Sequence, residues 1–490
     1  MTRVVLVGRD APLWLAAGAL RRGLGEAVEV EVVELPTRLA AAATYATMPA
    51  LEALHARIGI DEAALLRATN GVFSLGQRVT GGATQPFFHA WGSHGAPIEG
   101  QAFFPCWAKA RRHGLGARLQ DFSLTAAAAL HGRMMLPDDA TGAFGRTDYG
   151  YHLPARAYVG ALKGLAPRLG IATVQARDVA VERDAASGAI AAVLLDDGRR
   201  VAADLFVDAT GADAALIGAL GVGVDDWRGC FPGDRRLTAR GPALRSPPPY
   251  AEMRVDRSGW LALHPTRADT RIEQVHAADL MSDADALRRA EALAGMPLVD
   301  ALVERLAPGR REVAWRANCI AIGEAACAFD PAFGIDLHAA QLGIVHLLSL
   351  FPVTADHAAE RDEYNRVTRS TFERLRDFGQ TLYALAPWPG AFWDRARAAP
   401  VPATLAHKIA TFRARGEVAP LEDETFLADS WQALFTGLGV VPESWPPAID
   451  RTSPDAMKAA FRGMLGFVKD KVLEQPTHDR YLAEVIGGRA

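Results

Sequence analysis

Apolar residues run unbroken through VVLV (4–7), stop at Gly8, and return at helical spacing through LWLAAGALRRGLG (13–25). An alternating run, VEVEVVEL (28–35), follows and carries Glu34 at its close. A buried run, an amphipathic stretch and a second apolar run predict a strand, a helix and a parallel strand. Residues 49–69 read as helical, with Leu51, Leu54, Ile58, Leu65 and Leu66 on one face. From about 72 to 150 the helical period is lost and Gly, Phe, His and Trp accumulate, which predicts strands and loops. Helix returns over 153–168. Three β-runs then follow between 171 and 210: TVQARDVAVER, AIAAVLLDDG and ADLFVDATG. The DDG between the last two predicts a hairpin, because Asp-Gly tolerates positive φ. CIAIGEAA (319–326) predicts another buried strand, with a helix from about 337 to 350 behind it. From 355 onward the pattern is helical, broken at PWPG (387–390), APVPA (399–403) and PESWPP (442–447). The expected architecture is an α/β body over 1–354, with a β-sheet substrate region inserted at about 72–150, and a helical subdomain over 355–490.

Composition narrows the function. With 490 residues, half of them hydrophobic, and a net charge of -4, the chain has material for two or three globular units. No apolar stretch approaches the roughly 20 residues of a membrane span, and no signal-peptide pattern precedes the first strand. No basic patch carries interleaved aromatics, so nucleic acid is not an expected partner. Cys106, Cys230, Cys319 and Cys327 lack CxxC or metal-ligand spacing and read as core thiols of a cytoplasmic protein. His89 and His94, five apart around Trp91, have no standard metal spacing, and no metal is expected. Glu34 lies roughly 20 residues beyond the first turn, where a dinucleotide fold carries its ribose-binding acid.

Several segments, in order, resemble the flavin-dependent tryptophan halogenases: FFHAWGSHGAPIEG (87–100), ADLFVDATG (203–211), FPGDRRL (231–237), WRANCIAIGEAA (315–326), EYNR (363–366) and the run 405–442. The resemblance spans Thr2 to about Ile486. It implies an FAD/NAD(P)-binding-like dinucleotide fold, FAD reduced by a separate flavin reductase, a small aromatic substrate, and dimerisation. It also implies a lysine that holds the oxidant beside the substrate and a glutamate that assists proton removal. The cofactor supplies the oxidising chemistry and the protein the positioning. On this basis Gly8, Arg9, Glu34, Thr47, Pro49, Asp330 and Pro331 are candidate cofactor contacts. His89, Trp91, His94, Phe103 and Trp445 are candidate lining of the aromatic-substrate pocket.

The chain departs from the family where the chemistry sits. Of G-x-G-x-x-G only Gly8 remains; Asp10 and Leu13 occupy the other glycine positions, and Pro12 removes an amide from the helix start. Arg9 is the residue that could offset Asp10 by pairing with phosphate. The flavin strap, usually VGEATxP, reads ATYATMP (43–49), with Tyr45 at the glutamate position. VFSLGQRV (72–79) carries Ser74 where the family has its lysine; Arg78 and Lys109 are basic but off the motif. AFDPAFGIDLHAAQ (328–341) carries Phe333 at the catalytic glutamate position and Asp336 in the halide-binding turn. The W-x-W-x-I-P motif is reduced to Trp260 and Pro265 in WLALHP. No residue is therefore assigned a catalytic role. Three readings stay open. One is an FAD-linked oxidoreductase or monooxygenase with weak or altered flavin binding. Another is a pseudoenzyme that binds a small ligand or a partner protein. The third is an atypical flavin-dependent halogenase.

Overall fold

The computed structural model describes residues 2–82, 85–137, 142, 144–353 and 357–488. The chain divides into two compact units. One comprises Met1–Thr69, Leu153–Arg228 and Leu306–Arg376; the other comprises Asn70–His152, Gly229–Arg305 and Asp377–Ala490.

The first unit is organised by β1 (Thr2–Gly8), α1 (Asp10–Leu24) and β2 (Val28–Glu34). β1 pairs in parallel with β2 on one side and with Leu205–Ala209 on the other, so Gly8 lies level with both Glu34 and Ala209. Cys319–Ala321 and Ala172–Gln175 extend the sheet outward. Val4 to Val7 are fully buried, as are Leu13, Leu15 and Leu20 of α1. Each such side chain contributes about 1.5–3 kcal/mol of transfer free energy. Asp208, wholly buried at the end of its strand, accepts bonds from the Thr210, Leu216 and Ile217 amides and from the Thr210 hydroxyl. These bonds fix the turn that follows.

Several expectations are corrected here. The DDG turn joins Ile190–Leu195 to Arg200–Val201, not to Leu205–Ala209. A tight turn reverses the chain, and Leu205–Ala209 belongs to a parallel sheet that such a turn cannot feed. TVQARDVAVER splits likewise: Ala172–Gln175 joins the parallel sheet, and Val179–Arg183 pairs antiparallel with Ile190–Leu195. The helical stretch 49–69 breaks at Gly59 (φ 82°) into Ala50–Ile58 and Glu62–Thr69. CIAIGEAA is strand only through Cys319–Ala321; Gly323 (φ 60°) then opens a short 3-10 turn.

The second unit holds a seven-stranded sheet. From one edge its strands are Val299–Arg305, Arg235–Pro242, Asp269–His276, Gly259–Pro265, Ala251–Asp256, Gly76–Thr80 and Phe87–Ala90. Ala286, Ala290 and Ala294, four apart along the helix Asp283–Ala294, seat its small-residue face on Leu237, Ala239, Leu261, Leu263 and Ile272. The expectation of only strands and loops over 72–150 is corrected by two helices, Phe103–Arg112 and Leu124–Leu130. Pro105 is tolerated in a first helical turn, and the alanine run 126–129 is a strong helix former. Among the described residues no helix is long and apolar enough to cross a membrane.

Candidate functional site

The turn from β1 into α1 is where a dinucleotide fold receives a diphosphate, on amides at the positive end of the helix. A Cβ at Gly8 would lie 2.2 Å from the Ala209 carbonyl oxygen, so only glycine fits. Asp10 takes φ 63°, a conformation that favours glycine and that Asp tolerates better than most residues. Its carboxylate accepts from the Thr37 hydroxyl at 2.5 Å and from the Arg38 amide. Burial pushes the Asp10 carboxyl up, partly opposed by these bonds. The Arg9 amide donates to Ala209 O at 3.1 Å, and its guanidinium pairs with Asp213 at 3.0 Å, a carboxylate that Arg38 shares.

Tyr45 reaches the same turn. Its hydroxyl accepts a hydrogen bond from the Ala11 amide. Burial first, then Asp10, raise the phenol far above its ordinary value. The Tyr45 ring meets Tyr158 edge-on at 5.8 Å, and Tyr158 bonds His55 at 2.6 Å. Arg9 and Ala11 thus have their amides engaged within the chain, Pro12 has none, and a carboxylate stands beside them. The residues present do not fit the diphosphate of FAD. Glu34 is also engaged, by Lys163 and Gln175, each at 2.5 Å.

The other candidate cofactor residues lie in loops of this unit. Thr47 is buried, and Pro49 precedes the helix Ala50–Ile58. Asp330 caps the 3-10 turn Pro331–Phe333 by accepting from the Ala332 amide at 3.1 Å. Phe333 is buried, and Gly334 (φ 63°) has no room for a Cβ, which would lie 2.7 Å from Ala46 O. Asp336 accepts from the Phe329 amide at 3.1 Å, so its carboxylate is tied into the loop.

In the second unit, Ser74 ends the strand Val72–Ser74, buried, with its hydroxyl donating to Gly76 O at 3.3 Å. The same unit contains a cavity of about 550 Å³. Phe87, Phe88, Trp107 and Leu438 are among its apolar lining; His94, Gln120 and Thr436 are among the polar groups, and Arg111 and Arg118 bring positive charge. Asp429 orients His94, accepting from its amide at 3.1 Å and its ring Nδ1 at 3.4 Å. Burial pushes the Asp429 carboxyl up, but the bonds from His94 and Ser93 outweigh it and leave it lowered.

Of the five candidate pocket residues, only His94 is in this lining. His89 packs its ring against Trp91 at 5.0 Å and Phe378 at 5.3 Å. Phe103 packs on Phe122 at 5.1 Å, and Trp445 bonds Asp450 at 2.9 Å. Trp260 donates to the Tyr383 hydroxyl at 2.7 Å inside the core. Arg111, Arg118 and Gln120 lie outside every segment that carries the resemblance, and Thr436, inside the run 405–442, has no signal of its own there. The only available signal was the basic end of the run FFPCWAKARR, which the loop assignment concealed.

Buried histidines give these units a pH signature. Burial lowers His55 and His264 to about 4 and His89 to about 3, with His94 adding to the shift at His89. All three stay neutral when folded and protonate near 6.5 when unfolded, so the unfolded chain binds more protons below that pH. Stability is therefore expected to be full above pH 6.5 and to fall toward pH 4, by ~1.4 kcal/mol per pH unit for each group. Urea midpoints across that range should drop steeply, and His89→Phe should flatten the slope; an unchanged slope in the variant would refute this account.

The family model for tryptophan halogenase matches residues 3–454. The chain belongs to the tryptophan halogenase family. It is 26% identical to tryptophan 7-halogenase KtzQ of Kutzneria sp. (strain 744), over 99% of this chain and 98% of that protein. Its fold is similar to that of BrvH, a flavin-dependent halogenase from Brevundimonas sp. BAL3, with 32% identity, a TM-score of 0.93 and 99% of each chain covered. It is also similar to Xcc4156, a flavin-dependent halogenase from Xanthomonas campestris, with 29% identity, a TM-score of 0.92, and 99% and 98% covered. The mixed α/β architecture is thus that of the flavin-dependent halogenases. Ser74 and Phe333, the residues that the motif spacing sets against the family's lysine and glutamate, are both buried, and Tyr45 and Asp10 meet at the turn after β1.

Proposed function

We propose that this member of the family does not halogenate, and that it uses the fold to bind a small aromatic ligand without holding FAD in the dinucleotide manner. The observation that carries the reading is the Tyr45 hydroxyl on the Ala11 amide, with the Asp10 carboxylate beside it. The ligand role rests on the cavity behind Phe87, Phe88 and Trp107, whose volume suits a small molecule. Ser74 supports the loss of halogenation, because a hydroxyl bonded to Gly76 O offers no amine to hold hypohalite. Phe333 supports it too, because a phenyl ring moves no proton.

A second reading, an FAD-linked oxidoreductase or monooxygenase acting on an aromatic substrate and served by a flavin reductase, rests on Glu34 at the close of β2. The two readings separate in one assay. The protein is incubated with FAD, a flavin reductase, NADH, oxygen, bromide or chloride, and indole or tryptophan, and the products are resolved by mass spectrometry. No halogenated or oxygenated product above the enzyme-free control is expected. A halogenated product would overturn the reading, and an oxygenated one would establish the second.

A further inference from the structure

The ligand-binding cavity is asymmetric in charge. Its inner walls are aromatic and apolar: Phe87, Phe88 and Trp107 are each buried. Arg111 and Arg118, both exposed, are the two charged side chains among the described residues that line it. Arg111 lies in the last turn of the helix Phe103–Arg112 and is steadied by two backbone carbonyls, Leu115 O at 2.6 Å and Gly116 O at 3.1 Å. Carbonyls orient a guanidinium without cancelling its charge. The Arg111 guanidinium also lies 5.8 Å from the Trp107 ring, which ties the cation to the aromatic wall. Arg118 has Asp121 at 3.5 Å, a pair exposed enough to leave donors available. Asp429, the nearest acid to His94, is already committed to it and is not part of the lining.

We propose that this cavity selects an aromatic ligand bearing a carboxylate and no ammonium group, with the ring among Phe87, Phe88 and Trp107 and the carboxylate at Arg111 and Arg118. The proposal rests on the ligand-binding reading above and adds the chemical class. A guanidinium holds a carboxylate with paired, charge-assisted bonds. An aromatic amine would present a cation to two guanidiniums with no lining acid to receive it, and like charges brought together lower affinity.

The test compares three probes of one ring system, indole-3-propionate, 3-methylindole and tryptamine, by isothermal titration calorimetry with the full-length protein at pH 7.5 and low salt. The acid is expected to bind at least tenfold tighter than the neutral probe, with tryptamine weakest. Arg118→Gln should weaken the acid about tenfold and leave 3-methylindole unchanged, with an unaltered thermal midpoint in the ligand-free protein. Tryptamine binding as tightly as the acid, or an acid affinity indifferent to Arg118→Gln, would overturn the selectivity while leaving a ligand pocket standing. No binding by any of the three would instead remove the ligand-binding reading, and this proposal with it. The probe comparison needs no variant, so it decides the matter even if Arg118→Gln folds poorly.

Discussion

Replacing Asp10 with glycine and Tyr45 with phenylalanine together is expected to tighten FAD binding by roughly 100-fold or more. Two changes at one turn produce the gain. Removing a carboxylate from beside a diphosphate relieves a like-charge contact that costs several kcal/mol when desolvated, and about 2.7 kcal/mol is already a factor of 100. Removing the Tyr45 hydroxyl returns the Ala11 amide to the positive end of α1, where anions bind. Glycine is also at ease at φ 63°, so the substitution carries no backbone cost at that residue. The phenyl ring keeps the edge-on contact with Tyr158, which preserves local packing. Each single variant should show part of the gain. Flavin fluorescence quenching on titration measures it, and an unchanged affinity in the double variant would mean that this turn is not what keeps FAD out.

The second large effect concerns stability. Lys408 is buried within the helix Ala403–Arg415 and pairs with Glu424 at 2.9 Å, with its ammonium 4.8 Å from the Trp431 ring. Removing one partner of such a pair leaves the other charge buried and uncompensated, a loss of ~3–5 kcal/mol. Lys408→Met is therefore expected to lower the unfolding free energy by about that amount, read from urea denaturation. The double variant Lys408→Met, Glu424→Leu should recover most of it, because a well-packed apolar pair can replace a buried ion pair at little cost. The consequence reaches the ligand: Trp431 belongs to the helix Ala428–Gly437, which contributes Ala433, Thr436 and Gly437 to the cavity. A single variant as stable as the parent would show that the pair contributes little.

The parts of this molecule that were legible in the sequence are those fixed by local pattern. The βαβ start was readable because VVLV and VEVEVVEL have strand periods and the intervening run has a helical one, and the sheet pairs them in parallel. The helix after CIAIGEAA was readable for the same reason and spans Ile335–Ser349. The helix Phe103–Arg112 was missed because its aromatic content and Pro105 mask the period. The DDG turn was recognised as a turn, but its second strand was misassigned, since Arg200–Val201 is too short to leave a pattern.

At the site, motif comparison located what is missing better than what is present. Ser74, Phe333 and Asp10 stand out against the family pattern without a structure. That the Tyr45 hydroxyl meets Ala11, or that Arg9 turns to Asp213, depends on residues 34 and 204 positions apart and leaves no trace in sequence spacing. The cavity is of the same kind. Arg118 and Thr436 join His94 through the folding of the second unit, and of the three only His94 stands out as pocket lining in its own segment.

The central claim is that the diphosphate turn is filled by the chain's own side chains. The measurement that tests it most directly is an anaerobic titration of the purified protein with oxidised and with reduced FAD, read by flavin fluorescence and by thermal shift. A ligand that binds the folded state alone raises the melting point by mass action, so binding cannot pass unseen in both readouts. The account predicts no saturation and no stabilisation by either form at tens of micromolar FAD. Saturable binding near one micromolar, with a matching rise in melting temperature, would contradict it.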